Sequence, residues 1–339
     1  MQIGIENYYQ IYSEQNKIFD PNAYSIGENL EYPFVLLKNK LKELNCSIDT
    51  LDIKPLEEYK KVIFLDYPHK KSNSFNKVNK DIDLYLILFE SELIRPDNWV
   101  KENHKYFKKV FTLNDAWVDG KKYIKYYWPN KIPDNLEFDL SKKFKLCTLI
   151  AGYKFNSHPL ELYSEREKAI SWFEQNHPEE FDLYGIGWDK YHFKGKLKWL
   201  NRCKFLTTLF KNNYPSYKGQ VISKSQTLQK YKFAICYENA RDIPGYTTEK
   251  IFDCFFAGCV PIYWGAPNIT SYIPENTFID KRNFVSYEGL YTYIKNISQQ
   301  EYIAYLENIK SFINSKEMNI FNADYFTQII INEILELQI

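Results

Sequence analysis

Apolar residues in this chain fall in short dense runs, separated by longer stretches in which they recur every three or four positions. The runs at 62–65, 84–89 and 110–113 lie in the first half, and those at 145–150, 181–184, 232–237 and 260–264 in the second. Runs of four to seven residues, rich in β-branched and aromatic side chains and closed by turn residues, predict strands buried on both faces. Residues 32–44 carry Phe34, Leu37, Leu41 and Leu44 at helical spacing, and 287–297, 298–314 and 323–338 repeat that period. Strands alternating with helices predict an α/β protein with mainly parallel sheets. Residues 127–145 are charged and contain two prolines, which reads as a crossover between two units. The expected division is 1–140, 141–320 and a terminal helical segment, 321–339.

The densest pattern is at 231–280. A strand at 232–237 is followed by a polar turn at 238–245 that holds Pro244 and Gly245. Thr247 or Thr248 can then cap a helix whose inner face is Ile251, Phe252, Cys254, Phe255 and Phe256. Gly258 stands at the expected helix end, and 260–264 is the next strand. This βαβ unit sets a helix N-terminus at the carboxyl edge of a parallel sheet, where free N–H groups and the helix dipole favour anions. Lys250 in the first turn opposes that dipole at a cost of about 0.3–1 kcal/mol, which a bound diphosphate would offset. Glu249 beside it suits sugar hydroxyls, as carboxylates do for ribose in nucleotide folds. A surface Glu–Lys pair is the alternative reading.

Composition narrows the picture. The 339 residues suffice for two domains, and a hydrophobic content of 45% allows full cores. The 44 basic and 43 acidic side chains leave a net charge of +1, which argues against a dedicated nucleic-acid binder. None of the six cysteines forms a C-x-x-C pair, so free thiols in a reducing compartment are expected. The first residues lack a basic and then apolar leader, and no apolar stretch is long enough to span a bilayer, so the expected location is cytoplasmic.

The stretch ENARDIPGYTTEKIFDCFFAGCVPIYWGAPNITSYIPENTFID resembles the donor-binding signature of the α1,3-fucosyltransferases. In it Glu238-Asn239 precedes a loop, then come Tyr246, Thr248, Glu249 and Lys250, an apolar helix, the Pro261-to-Gly265 segment, a Pro-containing turn and Phe278-Ile279. The resemblance implies a GT-B fold of two Rossmann-like domains facing across a cleft, with GDP-fucose as donor and inverting transfer. It implies that Lys250 and Arg166, the latter in SEREKAISWF, neutralise the diphosphate. Glu249 and Tyr246 are assigned to the ribose and phosphate region, and Glu238 and Asn239 to the sugar side. Tyr217 and Lys224 are further candidates for the guanine or phosphates. In the family a carboxylate of the first domain is the general base, and FESELIRPDN aligns Glu90 to it, with Glu92 as the alternative. The α1,3 linkage and a GlcNAc or Glc acceptor in a surface glycan or lipopolysaccharide also come from the resemblance. Other readings are a GT-B enzyme for another GDP sugar and a non-catalytic binder of the same fold.

No metal site is expected. Asp81 and Asp83 precede the 84–89 run, at the wrong end for a diphosphate-bound cation, and the five histidines have no ligand spacing. Without that parallel, Glu90 would read as a strand-end carboxylate paired with Arg95, and Arg166 as a helix-surface residue between Glu165 and Glu167.

Overall fold

A computed structural model describes residues 1–21, 28–68, 73–193, 195–203, 205, 207, 210 and 212–337. His69, Gln338 and parts of the 189–220 stretch lie outside the described residues.

The first half forms a six-stranded sheet from β1 (Gln2–Asn7), β2 (Ser47–Thr50), β3 (Lys61–Leu65), β4 (Asp83–Leu88), β5 (Lys109–Thr112) and β6 (Tyr123–Lys125). Its order is β2-β1-β3-β4-β5-β6, and every neighbouring pair is parallel. The second half adds β7 (Lys145–Ile150), β8 (Phe181–Tyr184), β9 (Tyr231–Tyr237), β10 (Val260–Trp264) and β11 (Ile279–Asp280). These make a second parallel sheet in the order β11-β10-β9-β7-β8. In both sheets the chain builds outward on one side and then returns to the other. The reversals fall between β1 and β3 and between β7 and β9. Crevices at the carboxyl ends of strands beside such reversals are where open α/β sheets hold ligands.

The two-residue alternation of a strand accounts for the cores. In the first sheet Ile63, Leu65, Tyr85 and Ile87 face one apolar layer, while Val62, Phe64, Leu84, Leu86 and Leu88 face the other. Strands apolar on both sides are the mark of a sheet covered twice. β1, β2, β6 and β11 carry no such run. β6 and β11 are three and two residues long, and β2 alternates polar and buried positions at the edge. β1 contains Gly4, where a Cβ would lie 2.3 Å from a Leu51 methyl, so neighbouring side chains occupy the space that a hydrophobic residue would fill.

The last helix, Ala323–Leu335, crosses back to the first sheet. Phe326, Ile330, Ile331 and Ile334 join the layer formed by Phe34, Leu37 and Leu41 of the Tyr32–Glu43 helix. Ion pairs Lys40–Asp324 (2.8 Å) and Lys109–Glu333 (3.0 Å) flank that contact. Glu336 in the left-handed region ends the helix. Among the described residues no helix is long and apolar enough to cross a membrane, and all six cysteines are free thiols.

A polar clasp joins the two halves near the carboxyl edges. Asp115, after β5, accepts hydrogen bonds from Asn268 and Tyr272 at 2.8 Å each and pairs with Lys125 at 2.6 Å. Its backbone N–H donates to the Pro244 carbonyl at 2.9 Å. Gly245 passes directly beneath, with φ +76, and a Cβ there would meet Asp115 Oδ1 and Lys125 Nζ at 2.5 Å. Both the dihedral and the space require glycine. Gly245→Ala is therefore expected to destabilise the protein by about 1–3 kcal/mol. Denaturant unfolding measures this, and an unchanged midpoint would contradict it.

Candidate active site

The helix Glu249–Phe256 starts at Thr248, whose backbone is extended but whose own hydroxyl makes no cap bond. Glu238 caps it from the end of β9 instead. One carboxylate oxygen accepts the Thr248 N–H at 2.8 Å, and the other accepts the Thr248 hydroxyl at 2.7 Å. That second oxygen also lies 3.3 Å from Lys250 Nζ. Glu238 is 0% exposed. Its carboxylate is enclosed, and its hydrogen bonds hold the helix start and Lys250.

Lys250 Nζ also donates to Thr248 Oγ1 at 2.9 Å and lies 3.5 Å from Glu249. Burial alone would lower its pKa, but Glu238 and Glu249 hold it well above the ordinary lysine value. Burial would likewise raise Glu249, yet Lys250, Lys224 and local hydrogen bonds bring its carboxyl down to about 2. Lys224 pairs with Asp253 at 2.8 Å, one turn below Glu249 on the same helix face. A Glu–Lys–Asp–Lys set thus forms along one edge of the helix.

Arg166 lies on the Tyr163–Asn176 helix and is buried. One terminal nitrogen donates to the carbonyls of Tyr237 (2.5 Å) and Glu238 (2.9 Å) and to Asn239 Oδ1 (3.3 Å). It therefore fastens the end of β9 as well as bringing positive charge to the edge of the sheet. Asn239 in turn accepts the Leu162 N–H on its carbonyl at 3.1 Å. Tyr246, assigned by the resemblance to the ribose and phosphate region, is enclosed in this structure. Ala240, Ile243 and Tyr246 are buried in the first domain's apolar layer, because the loop after β9 packs across the seam. Burial first, then Glu238 and Glu90, push the Tyr246 phenol well up. Tyr217 stands apart, on the β8 edge, donating its hydroxyl to the Gly185 carbonyl at 2.8 Å.

Across the seam, Glu90 follows β4. Its carboxylate accepts the Tyr9 hydroxyl at 3.0 Å. The turn that carries it is built on Asp66, whose Oδ1 accepts the N–H groups of Phe89 (2.8 Å) and Glu90 (3.0 Å) and the amide of Asn98 (2.7 Å). Burial, then the charge of Glu90, raise the Asp66 carboxyl to about 6. Glu92 is engaged elsewhere, 3.4 Å from His158 Nε2. Arg95 makes its close contact with the Tyr8 ring, 3.3 Å from its centre, rather than with Glu90.

Three residues that sequence reasoning missed belong to this region: Asp66, Lys154 and Tyr163. Lys154, in the loop after β7, lies within electrostatic reach of Glu90, Lys250, Arg166 and Glu249. Asp66 could have been flagged as an acid in a strand-to-Pro turn. Nothing in the sequence around Lys154 marks it. Asp81 and Asp83 lie at the amino end of β4, where Asp83 pairs with Lys108 at 2.9 Å. Among the described residues no three His, Cys, Asp or Glu side chains gather as a metal site.

Comparison with known proteins bears on this geometry. The Helicobacter pylori α-(1,3)-fucosyltransferase FucT is 37% identical over 75 residues, which are 22% of this chain and 16% of that protein. The chain thus matches about a sixth of that relative's length. A crystal structure of an α1,3-fucosyltransferase with GDP superposes with a TM-score of 0.57 at 16% identity, covering 100% of this chain and 91% of that one. Anabaena HepE in complex with UDP and glucose superposes with a TM-score of 0.56 at 12% identity, covering 99% of each. These likenesses show the GT-B fold. Residues 141–328, more than half of the chain, match the profile described as glycosyltransferase family 10 (fucosyltransferase), C-terminal part. The chain belongs to glycosyltransferase family 10, the fucosyltransferases.

Proposed function

We propose that this protein transfers L-fucose from GDP-fucose to a hydroxyl of a glycan acceptor, with inversion at the anomeric carbon. The observation that carries the reading is one of placement. Glu90 stands at the carboxyl end of β4, and the cations Lys250 and Arg166 stand at the carboxyl edge of the second sheet, all within electrostatic reach of Lys154. Transfer needs a base on the acceptor side and positive charge on the leaving-group side.

In this reading the acceptor oxygen attacks the fucose anomeric carbon while Glu90 takes its proton. The bond from that carbon to the β-phosphate oxygen breaks, and its electron pair leaves with GDP. Lys250 and Arg166 stabilise the charge gathering on the diphosphate, in the role a metal ion serves elsewhere. Glu249, held ionised, accepts hydrogen bonds from the ribose hydroxyls. Lys224 keeps Glu249 and Asp253 in register, and Asn239 borders the sugar. Tyr217 remains a candidate for the guanine end. Glu92 is the weaker base candidate, because His158 engages it. An α1,3-fucosyltransferase of the same fold has been crystallised with GDP-fucose, which supports the donor. By the family resemblance, the product is an α1,3-fucoside on GlcNAc or Glc of a surface glycan or lipopolysaccharide.

Glu90→Gln should lower kcat by about 10²–10⁴-fold and leave GDP-fucose affinity unchanged, with Glu92→Gln close to wild type. Steady-state kinetics of both variants test the assignment, and loss confined to Glu92→Gln would move the base there. Lys250→Met should weaken GDP-fucose binding roughly ten- to hundredfold, the worth of a charge-assisted hydrogen bond. Calorimetry reads that change, and an unaltered Kd would contradict the phosphate role. The depressed Glu249 carboxyl makes a sign-specific pH prediction. Its folded pKa is below its unfolded value, so its stabilising contribution is complete above pH about 4.5 and fades as pH falls toward about 2. Glu249→Gln should flatten that part of the acid-unfolding curve, and an identical acid profile would refute the ion-pair account.

A further inference from the structure

Tyr9, Asp66 and Glu90 stand just past the carboxyl ends of β1, β3 and β4, which are adjacent strands of the first sheet. The reversal between β1 and β3 falls inside that group, so the group borders the crevice where such a sheet takes a ligand. Asp66 holds the Glu90 backbone, through the N–H that its carboxylate accepts at 3.0 Å. That bond leaves the long Glu90 side chain free to turn. Among the described residues the Glu90 carboxylate has one hydrogen-bond partner and no ion pair. The partner is the Tyr9 hydroxyl, 3.0 Å from Oε1.

Tyr9 is itself held in place. Its backbone N–H donates to Asn7 Oδ1 at 2.8 Å, and the Tyr8 N–H before it donates to the Leu65 carbonyl at 3.1 Å. Its ring meets the Tyr8 ring edge-on, with centroids 5.4 Å apart. Tyr8 in turn carries the guanidinium of Arg95 on its face, and Arg95 is buried and donates to the Tyr67 carbonyl at 2.5 Å. Contacts therefore run from a buried arginine out to a phenol that is 43% exposed and ends on the carboxylate. Burial first, then the Glu90 charge, hold that phenol above its ordinary pKa, so it stays protonated and donates.

We propose that Tyr9 is a positioning residue for the base: its hydroxyl holds Glu90 Oε1 and leaves Oε2 as the oxygen that takes the acceptor proton. The proposal rests on the transferase reading above. Holding one oxygen fixes the plane of the carboxylate, so the attacking hydroxyl meets an acceptor already in place. Tyr9 acts from the first sheet, whereas Lys250, Arg166 and Glu249 belong to the second domain, so its loss should spare the donor.

GDP release from GDP-fucose, with N-acetyllactosamine or water as the attacking nucleophile, measures the step that needs the base. Tyr9→Phe keeps the ring and removes its hydroxyl. It should lower kcat by about tenfold, the scale of one charge-assisted hydrogen bond. The KM for GDP-fucose and the thermal unfolding midpoint should stay at their wild-type values. Wild-type kcat in Tyr9→Phe, beside a Glu90→Gln variant that has lost activity, would overturn this inference and leave the transferase reading standing. A loss of kcat that comes with a raised donor KM and a lowered midpoint would mean that the phenol only shapes the fold, and would also overturn it. GDP release by Glu90→Gln at the wild-type rate would overturn the base assignment and this inference with it. No release by the wild-type protein with either nucleophile would overturn the transferase reading as well.

Discussion

The site depends on one buried carboxylate. A lysine in the first turn of a helix opposes the helix dipole, and a buried ammonium costs several kcal/mol unless it is paired. Glu238 resolves both problems. It caps the helix through Thr248 and pairs with Lys250 from below, at no exposure to solvent. Glu249 adds a second partner on the open side. The result is a cation fixed at the sheet edge with its charge maintained by neighbours. The rest of the second sheet can be seen as support for this arrangement: Arg166 clamps the end of β9, from which Glu238 projects, and Lys224 steadies the outer face of the helix through Asp253.

The seam between the halves is tied by backbone and polar groups as much as by apolar ones. The loop after β9 buries Ala240, Ile243 and Tyr246 in the first domain, while Asp115 gathers Asn268, Tyr272 and Lys125 from both sides. The terminal helix then returns to lie against the first sheet, with Phe326 packed on Phe89 and Tyr126. Phe89 immediately precedes Glu90. The position of the carboxylate is therefore set by this packed layer, while the helix of Lys250 is held by Ile251, Phe252 and Phe255 in the core of the second sheet.

The pattern of apolar runs was enough to read two parallel sheets, because strands buried on both faces leave no polar alternation. It missed β1 because Gly4 hands its share of the core to Leu51, Val62 and Tyr59. It missed β6 and β11 because two or three residues carry no period. In the site, Lys250 and Glu249 were legible from their place at a helix start, and Glu90 from its place after a strand. That Glu238 and Tyr246 are enclosed was not legible, for a common physical reason. A polar residue in a motif loop can face the ligand or face inward to hold the loop, and sequence order does not say which. Lys154 was invisible, since its place comes from a loop whose Asn156 reaches Leu93 across the seam.

The most direct test of the central claim is calorimetric titration of the wild-type protein with GDP-fucose and GDP-mannose in the presence of EDTA. The account predicts metal-independent binding of both, because Lys250 and Arg166 grip the shared diphosphate, with the fucose form preferred. No binding of either nucleotide sugar would contradict it, and would leave the Glu238–Thr248–Lys250 cluster as a helix cap without a ligand.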